Sequence, residues 1–172
     1  MVIRTALIED LKYIISLANK ESKSIGFIPK CAYEAAIIGL KPSIHRWSDT
    51  CNDKIFMCIE NGDRVGFVMA SFGNVVKINQ ICIQEDARML ERGKALLDAV
   101  INHGYKRGRY DYSCGCADDL ESNLFWKAMG WEKVNERHGM HFSNTWKESS
   151  KRKVNIYSWQ EMSLFTQNLK EI

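Results

Sequence analysis

Two short segments of the sequence hold residue types whose spacing could do chemistry. The first reads Gln84-Glu85-Asp86-Ala87-Arg88-Met89-Leu90-Glu91-Arg92-Gly93-Lys94. A strand-like run at 75–83 precedes it and a helical pattern at 90–103 follows. A helix start of this kind offers about four backbone N–H groups with no acceptor inside the helix. It also carries roughly half a positive charge from the summed peptide dipoles. Such a place receives a phosphate or pyrophosphate. Gly93 would let an anion approach the backbone with no Cβ in the way, and Arg88, Arg92 and Lys94 add positive charge around it. The loop Gly-x-x-x-x-Gly-Lys-Ser/Thr is absent, so this is not a Walker site, and an ordinary solvated helix start has the same composition. The second segment runs from Asp118 through Asn123, Phe125 and Trp126 to Trp131. By themselves its aromatic residues suit a core, and Asn123 suits a helix cap.

The elements that must position these segments can be read from periodicity. Residues 2–6 pattern as a strand. Asp10 can cap the helix that follows, where Leu11, Ile14, Ile15 and Ala18 recur at helical spacing. A polar break at 22–24 precedes a second helix at 32–38, which ends near Gly39. Residues 41–53, with His45, Arg46 and Trp47, are loop-like. Strands follow at 55–60, 65–72 and 75–83, with Asn61-Gly62 as a hairpin turn. In the third of these, alternation places Val76, Ile78, Gln80 and Cys82 on one face. The helix at 90–103 has Leu96, Leu97, Val100 and Ile101 as its inner stripe and Gly104 as its C-terminal cap. A strand at 109–116, a short helix at 122–129 and strands at 131–137 and 153–159 complete the order. The polar stretch 139–152 between the last two reads as a mobile segment. The expectation is one domain over 1–172, α/β with mixed α+β character.

Composition narrows the class. The chain has 172 residues, 45% hydrophobic and 26% charged, with a net charge of +3, ordinary globular values. No apolar run approaches the ~20 residues that cross a bilayer, and no signal-peptide core precedes Glu9 and Asp10. The balanced charge argues against nucleic acid as the main partner. Cys31, Cys51, Cys58, Cys82, Cys114 and Cys116 could form three disulfides on paper. Four of them sit in strand-like apolar runs and no secretory signal is seen, which favours reduced thiols and a cytoplasmic location. Cys114-Gly115-Cys116 lacks a second ligand pair at metal spacing, so no metal is expected.

Together the two segments resemble the signature of the GNAT superfamily of N-acetyltransferases. That signature is Arg/Gln-x-x-Gly-x-Gly/Ala at the start of the central helix, followed by Asn-x-x-Phe-Tyr-x-x-x-Gly-Phe. Here they read Arg88-Met89-Leu90-Glu91-Arg92-Gly93 and Asn123-Leu124-Phe125-Trp126-Lys127-Ala128-Met129-Gly130-Trp131. The order of elements is also similar over residues 2–160. The resemblance implies a twisted, mostly antiparallel sheet of about seven strands flanked by about four helices. It implies acetyl-CoA as co-substrate and transfer of acetyl to a primary amine, on a small molecule or a peptide. Residue by residue, Arg88, Met89, Leu90, Glu91, Arg92, Gly93 and Lys94 would hold the pyrophosphate. Ile81, Cys82 and Ile83 would pair with the pantetheine arm. Asn123 would contact the cofactor or backbone beside it, and Phe125 and Trp126 would pack along its thiol end. Family members often dimerise, so a homodimer is compatible with the resemblance.

Two positions depart from the pattern. Glu91 stands where the family has Gly, and Trp126 where many members have a Tyr that protonates the leaving thiolate. An indole N–H donates a hydrogen bond but is no usable acid. The acceptor amine, with a pKa of about 10.4 if lysine-like, must lose a proton before it attacks. Glu85 and His45 are the candidate bases, with Glu60 a third, and direct attack with no covalent acetyl-enzyme is expected. The acceptor would lie against 22–53 and 138–152, whose aromatic and basic residues could receive a flat or acidic molecule. Two alternatives stay open. One is a GNAT-fold protein that binds without catalysing; the other is a nucleic-acid-binding module using the cationic run 147–153.

Overall fold

In the computed structural model, which describes residues 1–39, 52–143 and 148–160, seven strands form a single sheet in the order β1-β2-β3-β4-β5-β7-β6. β1 (Val2–Thr5), β2 (Asp53–Glu60), β3 (Asp63–Phe72) and β4 (Val76–Ile83) run antiparallel as successive neighbours. β5 (Asp111–Ala117) lies parallel to β4, and β7 (Glu148–Gln160) pairs antiparallel with both β5 and β6 (Glu132–Ser143). The single parallel contact follows from chain order: β4 and β5 are joined through a helix, and such a crossover returns the chain in the same direction.

Helices cover both faces. α4 (Leu90–Tyr105) lays Leu96, Leu97 and Val100 on one face, against Phe56, Val68, Val76, Tyr112 and Tyr157. Burying each such aliphatic side chain is worth about 1.5–3 kcal/mol. α1 (Leu11–Lys20), α2 (Ser22–Ile25) and α3 (Lys30–Ile38) cover the other face, where Ile14, Leu17, Tyr33 and Ala36 meet Met57, Phe67 and Met69. α5 (Ser122–Ala128) follows β5, and its Trp126 joins the α4-side core beside Trp131.

The Asn61-Gly62 turn has positive φ at both residues, 51° and 87°, as a tight hairpin requires. Asp10 works differently from the expected helix cap. Its carboxylate accepts from the Leu7 N–H and pairs with Arg4 and Arg64 at 2.6 and 2.7 Å, which ties β1 and β3 to the start of α1. Those two arginines hold the buried carboxyl well below the usual carboxylate range, against the opposing effect of burial.

Four further expectations are corrected. The polar break at 22–24 lies in a short helix, α2, which Gly26 ends with a φ of 79°. Gly104 is not a cap: α4 continues through it to Tyr105, and a Cβ there would sit 2.4 Å from the Tyr112 hydroxyl. Much of the stretch expected to be mobile is strand, since Gly139 pairs with Arg152 and Phe142 with Ser149. Ladder hydrogen bonds come from the backbone, so a polar sequence on an exposed hairpin does not prevent them. Finally, β4 does not alternate uninterrupted. Ile78 pairs with Ala70 and Gln80 with Met69, so Asn79 is an extra residue. Such a bulge moves every later side chain to the opposite face. Val76 and Ile78 therefore face α4, while Cys82 packs in the α1–α3 cluster and Gln80 accepts from the Tyr33 hydroxyl at 2.6 Å.

Candidate active site

The β4–β5 ladder has three rungs, Val76–Tyr112, Lys77–Ser113 and Ile78–Cys114, and then stops. Beyond Ile78 the two strands diverge, starting at the bulge. The β5-facing edge of β4 from Asn79 to Ile83 is thus left with no strand partner, and an unpaired edge accepts an extended ligand as an added strand would. The split opens a cleft of ≈ 560 Å³, walled by Gln80, Ile81, Cys82 and Ile83 on one side and Cys114, Gly115 and Cys116 on the other. Trp126 closes its α5 side; Glu21 and Arg88 also line it.

Arg88 stands between two partners. Its Nη2 donates to Glu21 Oε2 at 2.7 Å and its Nε to the Ile83 carbonyl at 3.2 Å. α4 begins immediately beyond, after Met89, which is extended and supplies no side-chain cap. Met89, Leu90, Glu91 and Lys94 are exposed around this open first turn. Lys94 bonds Asp98 one turn on. Arg92 turns away from the helix start: it donates to Glu60 and, at 2.8 Å, to the Ala87 carbonyl, clamping the turn before α4 to β2. That pairing commits Glu60 to the clamp. Gly93 is buried, and the edge of the Phe125 ring fills the space in front of it.

The structure therefore brings Ile81, Cys82, Ile83, Arg88 and Trp126 to the cleft. It gathers Met89, Leu90, Glu91 and Lys94 at the adjoining helix start, and leaves Arg92, Gly93, Asn123 and Phe125 in supporting positions. Asn123 serves as a clip. Its amide donates to the Ala117 and Leu120 carbonyls at 2.8 and 2.7 Å, and its carbonyl accepts from Asn155 and the Tyr157 hydroxyl. The turn after β5 is thereby fastened to β7. Glu85 is not in the cleft. It lines a neighbouring cavity with Tyr13 and Lys20, its side chain 75% exposed. His45 lies outside the described residues, as do Trp47 and Trp146.

Glu21 was not singled out by motif or spacing, yet it lines the cleft with its side chain only 14% exposed. No sequence pattern announces it, because it reaches the cleft from the α1–α2 junction. Burial pushes the Cys82 thiol up to about 12. Burial also raises the Cys114 and Cys116 thiols, the latter partly offset by hydrogen bonds from Ser122 and Trp126. These are protonated thiols, weak nucleophiles at neutral pH. Among the described residues no group of three or more His, Cys, Asp or Glu side chains could hold a metal ion. No described helix is long and apolar enough to cross a membrane.

The described part of the cationic run, 148–153, lies in β7, and strand alternation divides its charges. Lys153 pairs with Glu136 on one face, and Arg152 with Asp119 on the other.

Comparison with known proteins agrees with this architecture. The ribosomal-protein-alanine N-acetyltransferase of Brucella melitensis superposes with a TM-score of 0.70 at 12% identity, covering 94% of this chain and 100% of that one. An N-acetyltransferase from Staphylococcus aureus Mu50 gives 0.69 at 17% identity, covering 92% and 97%. Arabidopsis thaliana NAA60, solved with a bisubstrate analogue, gives 0.70 at 13% identity, covering 92% and 97%. At these identities the likeness establishes the fold alone. No curated protein gives a significant sequence match. The family model for the acetyltransferase (GNAT) family matches residues 14–131, which span β4, the α4 start, β5 and α5, and on that match the chain belongs to this family.

Proposed function

We propose that the protein transfers an acetyl group from acetyl-CoA to a primary amine by direct attack. The observation that carries this reading is the three-rung β4–β5 ladder opening into a cleft with the uncapped start of α4 beside its mouth. The pyrophosphate would sit on the N–H groups of the first turn, with Arg88 and Lys94 beside it. The pantetheine arm would lie along the open edge of Ile81, Cys82 and Ile83, its thioester near Trp126. An N–H of that same edge would stabilise the oxyanion of the tetrahedral intermediate.

Of the carboxylates lining the cleft, Glu21 has the most enclosed side chain, against 62% exposure for Asp119. The ion pair of Glu21 with Arg88, the residue set beside the pyrophosphate, keeps it from the thioester end, so neither Glu21 nor Glu85 is assigned as the base and the acceptor's proton passes to water. Attack of the neutral amine on the thioester carbon forms the C–N bond, and collapse of the intermediate breaks the C–S bond. The sulfur leaves as thiolate; a thiol with a pKa of about 8.5 tolerates this without a dedicated acid. The high pKa values of the cleft cysteines weigh against an acetyl-cysteine relay.

A second reading is a GNAT-fold binder without turnover. It is favoured by one observation: among the described residues no tyrosine lines the cleft, and Trp126 occupies the position of the expected acid. Thermal melting with acetyl-CoA, followed by a CoA-release assay over a panel of amines, tests both readings. Ligand at ~100 times its dissociation constant should add about 2.7 kcal/mol of stability. No shift, or a shift with no CoA release from any amine, overturns the transfer reading and supports the second, which needs little or no affinity for CoA.

A further inference from the structure

A second cavity of ≈ 310 Å³ adjoins the cleft at the split between β4 and β5 and shares Ser24, Ile25, Ile78, Asn79 and Gly115 with it. The cavity lies between the α2 segment and the β6–β7 hairpin, which are tied together by a hydrogen bond from the Phe27 N–H to the Phe142 carbonyl at 2.8 Å. Among the described residues its charged lining is of one sign: Lys77, Arg137 and Arg152, with no Asp or Glu.

Neighbouring cations on the hairpin are already matched. Lys133 and Lys153 pair with Glu136, and Arg152 is shared between Asp119 and the Lys23 carbonyl. Lys77 and Arg137 have no ion pair among the described residues. Arg137 and Gly139 line this cavity together with Val154 and Arg152, their partners across the hairpin. The guanidinium comes close to the Gly115 backbone, beside the Val154 and Ile156 side chains: a Cβ on Gly115 would lie 3.9 Å from Arg137 Nη2, 3.7 Å from Ile156 Cδ1 and 3.1 Å from Val154 Cγ1. A concave site lined by one sign of charge concentrates ions of the other. A guanidinium suits the planar, two-oxygen edge of a carboxylate or phosphate better than an ammonium does.

We propose that this cavity binds an anionic group on the acceptor, so that the preferred substrate is a primary amine that also carries a carboxylate or a phosphate. The proposal rests on the acyltransfer reading for the word acceptor; the anion site itself does not. With the anion between Lys77 and Arg137, the amine of the same molecule would reach through the split past Gly115 to the thioester in the cleft.

The test uses matched acceptors in the CoA-release assay, β-alanine against β-alaninamide and phosphoethanolamine against ethanolamine. Wild type should prefer the charged member of one pair by roughly tenfold or more in kcat/KM, the range of one charge-assisted hydrogen-bond pair. The pair that shows the preference distinguishes carboxylate from phosphate. In R137Q the preference should fall about tenfold, while K106Q, at the far end of α4, keeps it. Equal use of both members in both pairs, or a preference that survives in R137Q, overturns the proposal.

Binding of glutarate and of inorganic phosphate, followed by backbone amide NMR without acetyl-CoA, decides the matter if no acceptor in the panel turns over. Shifts centred on Lys77, Gly115 and Gly139 that vanish in R137Q support the site, and no shifts with either anion overturn it. Acetyl-CoA melting reports separately on the acyltransfer reading, so the two can fail independently.

Discussion

The ring of Phe125 stands directly in front of Gly93, so that a Cβ on Gly93 would lie 2.5 Å from Phe125 Cε2. This glycine joins α5 to the first turn of α4. G93A must push the ring aside, and overpacking of this kind costs about 1–3 kcal/mol. Chemical denaturation should register that loss. Acetyl-CoA affinity should weaken in step with it, because Phe125 and Trp126 move as neighbours on α5, with ring centroids 5.2 Å apart. A G93A protein as stable as wild type would refute the packing role.

Glu91 places an exposed carboxylate in the first turn of α4 with no ion pair among the described residues. A pyrophosphate bound there would be repelled by roughly 1 kcal/mol where bulk water screens the pair. E91Q keeps the shape and removes the charge. Its dissociation constant for acetyl-CoA should drop about fivefold at low salt, and the gain should shrink as ionic strength rises. The free protein should become slightly less stable, because an acidic residue in a first turn favours the helix dipole. An affinity equal to wild type at every salt concentration would remove the phosphate from this turn.

The buried thiols make a chemical prediction. Cys58, Cys82, Cys114 and Cys116 are buried, and burial raises the pKa of each. In the native protein they should react with a maleimide far more slowly than half-exposed Cys31, and denaturant should release them. C82A and C116A should retain CoA release. Loss of turnover in C82A or C116A, in a protein that still binds acetyl-CoA, would instead point to a covalent relay.

His103 carries the clearest pH signature near neutrality. It lies edge-on between Phe56 and Phe72, with ring centroids 5.6 and 4.7 Å away, and its Nε2 is buried with no partner. Desolvation, helped by Arg107, Lys54 and Lys106, lowers its pKa below the ordinary 6.5. The unfolded chain therefore binds the proton first on acidification. The contribution is complete above about pH 6.5 and is lost as pH falls through the lower folded value. Melting temperature should decline as pH falls below about 6.5, and H103F should flatten that slope. An unchanged slope in H103F would assign the acid sensitivity elsewhere.

How much of this was legible in sequence varies with the range of the interaction involved. The first five strands, the Asn61-Gly62 hairpin and the inner stripe of α4 are written in local periodicity and turn chemistry and stand close to where periodicity puts them, whereas the last two strands run on into the polar stretch where periodicity ends them. The Asn79 bulge is not. An inserted residue looks like any other strand residue until its partner strand is known, and it is this residue that sends Gln80 and Cys82 to the α1–α3 side. The phosphate-like turn was visible as a motif, but the division of labour inside it was not. Arg92 and Lys94 look equivalent in sequence, and only the distant Glu60 decides that Arg92 clamps β2. Asn123 is similar: Asn155 and Tyr157, which fix its role, lie far along the chain.

The seam between β4 and β5 carries a mechanical consequence. The two blocks of sheet, β1 through β4 and β5 through β7, meet edge to edge over only the rungs that end at Ile78 and Cys114. Beyond that junction the blocks behave like the jaws of a wedge hinged at one end. A long guest lodged between them becomes a keystone, restoring stiffness across a joint that the chain leaves incomplete.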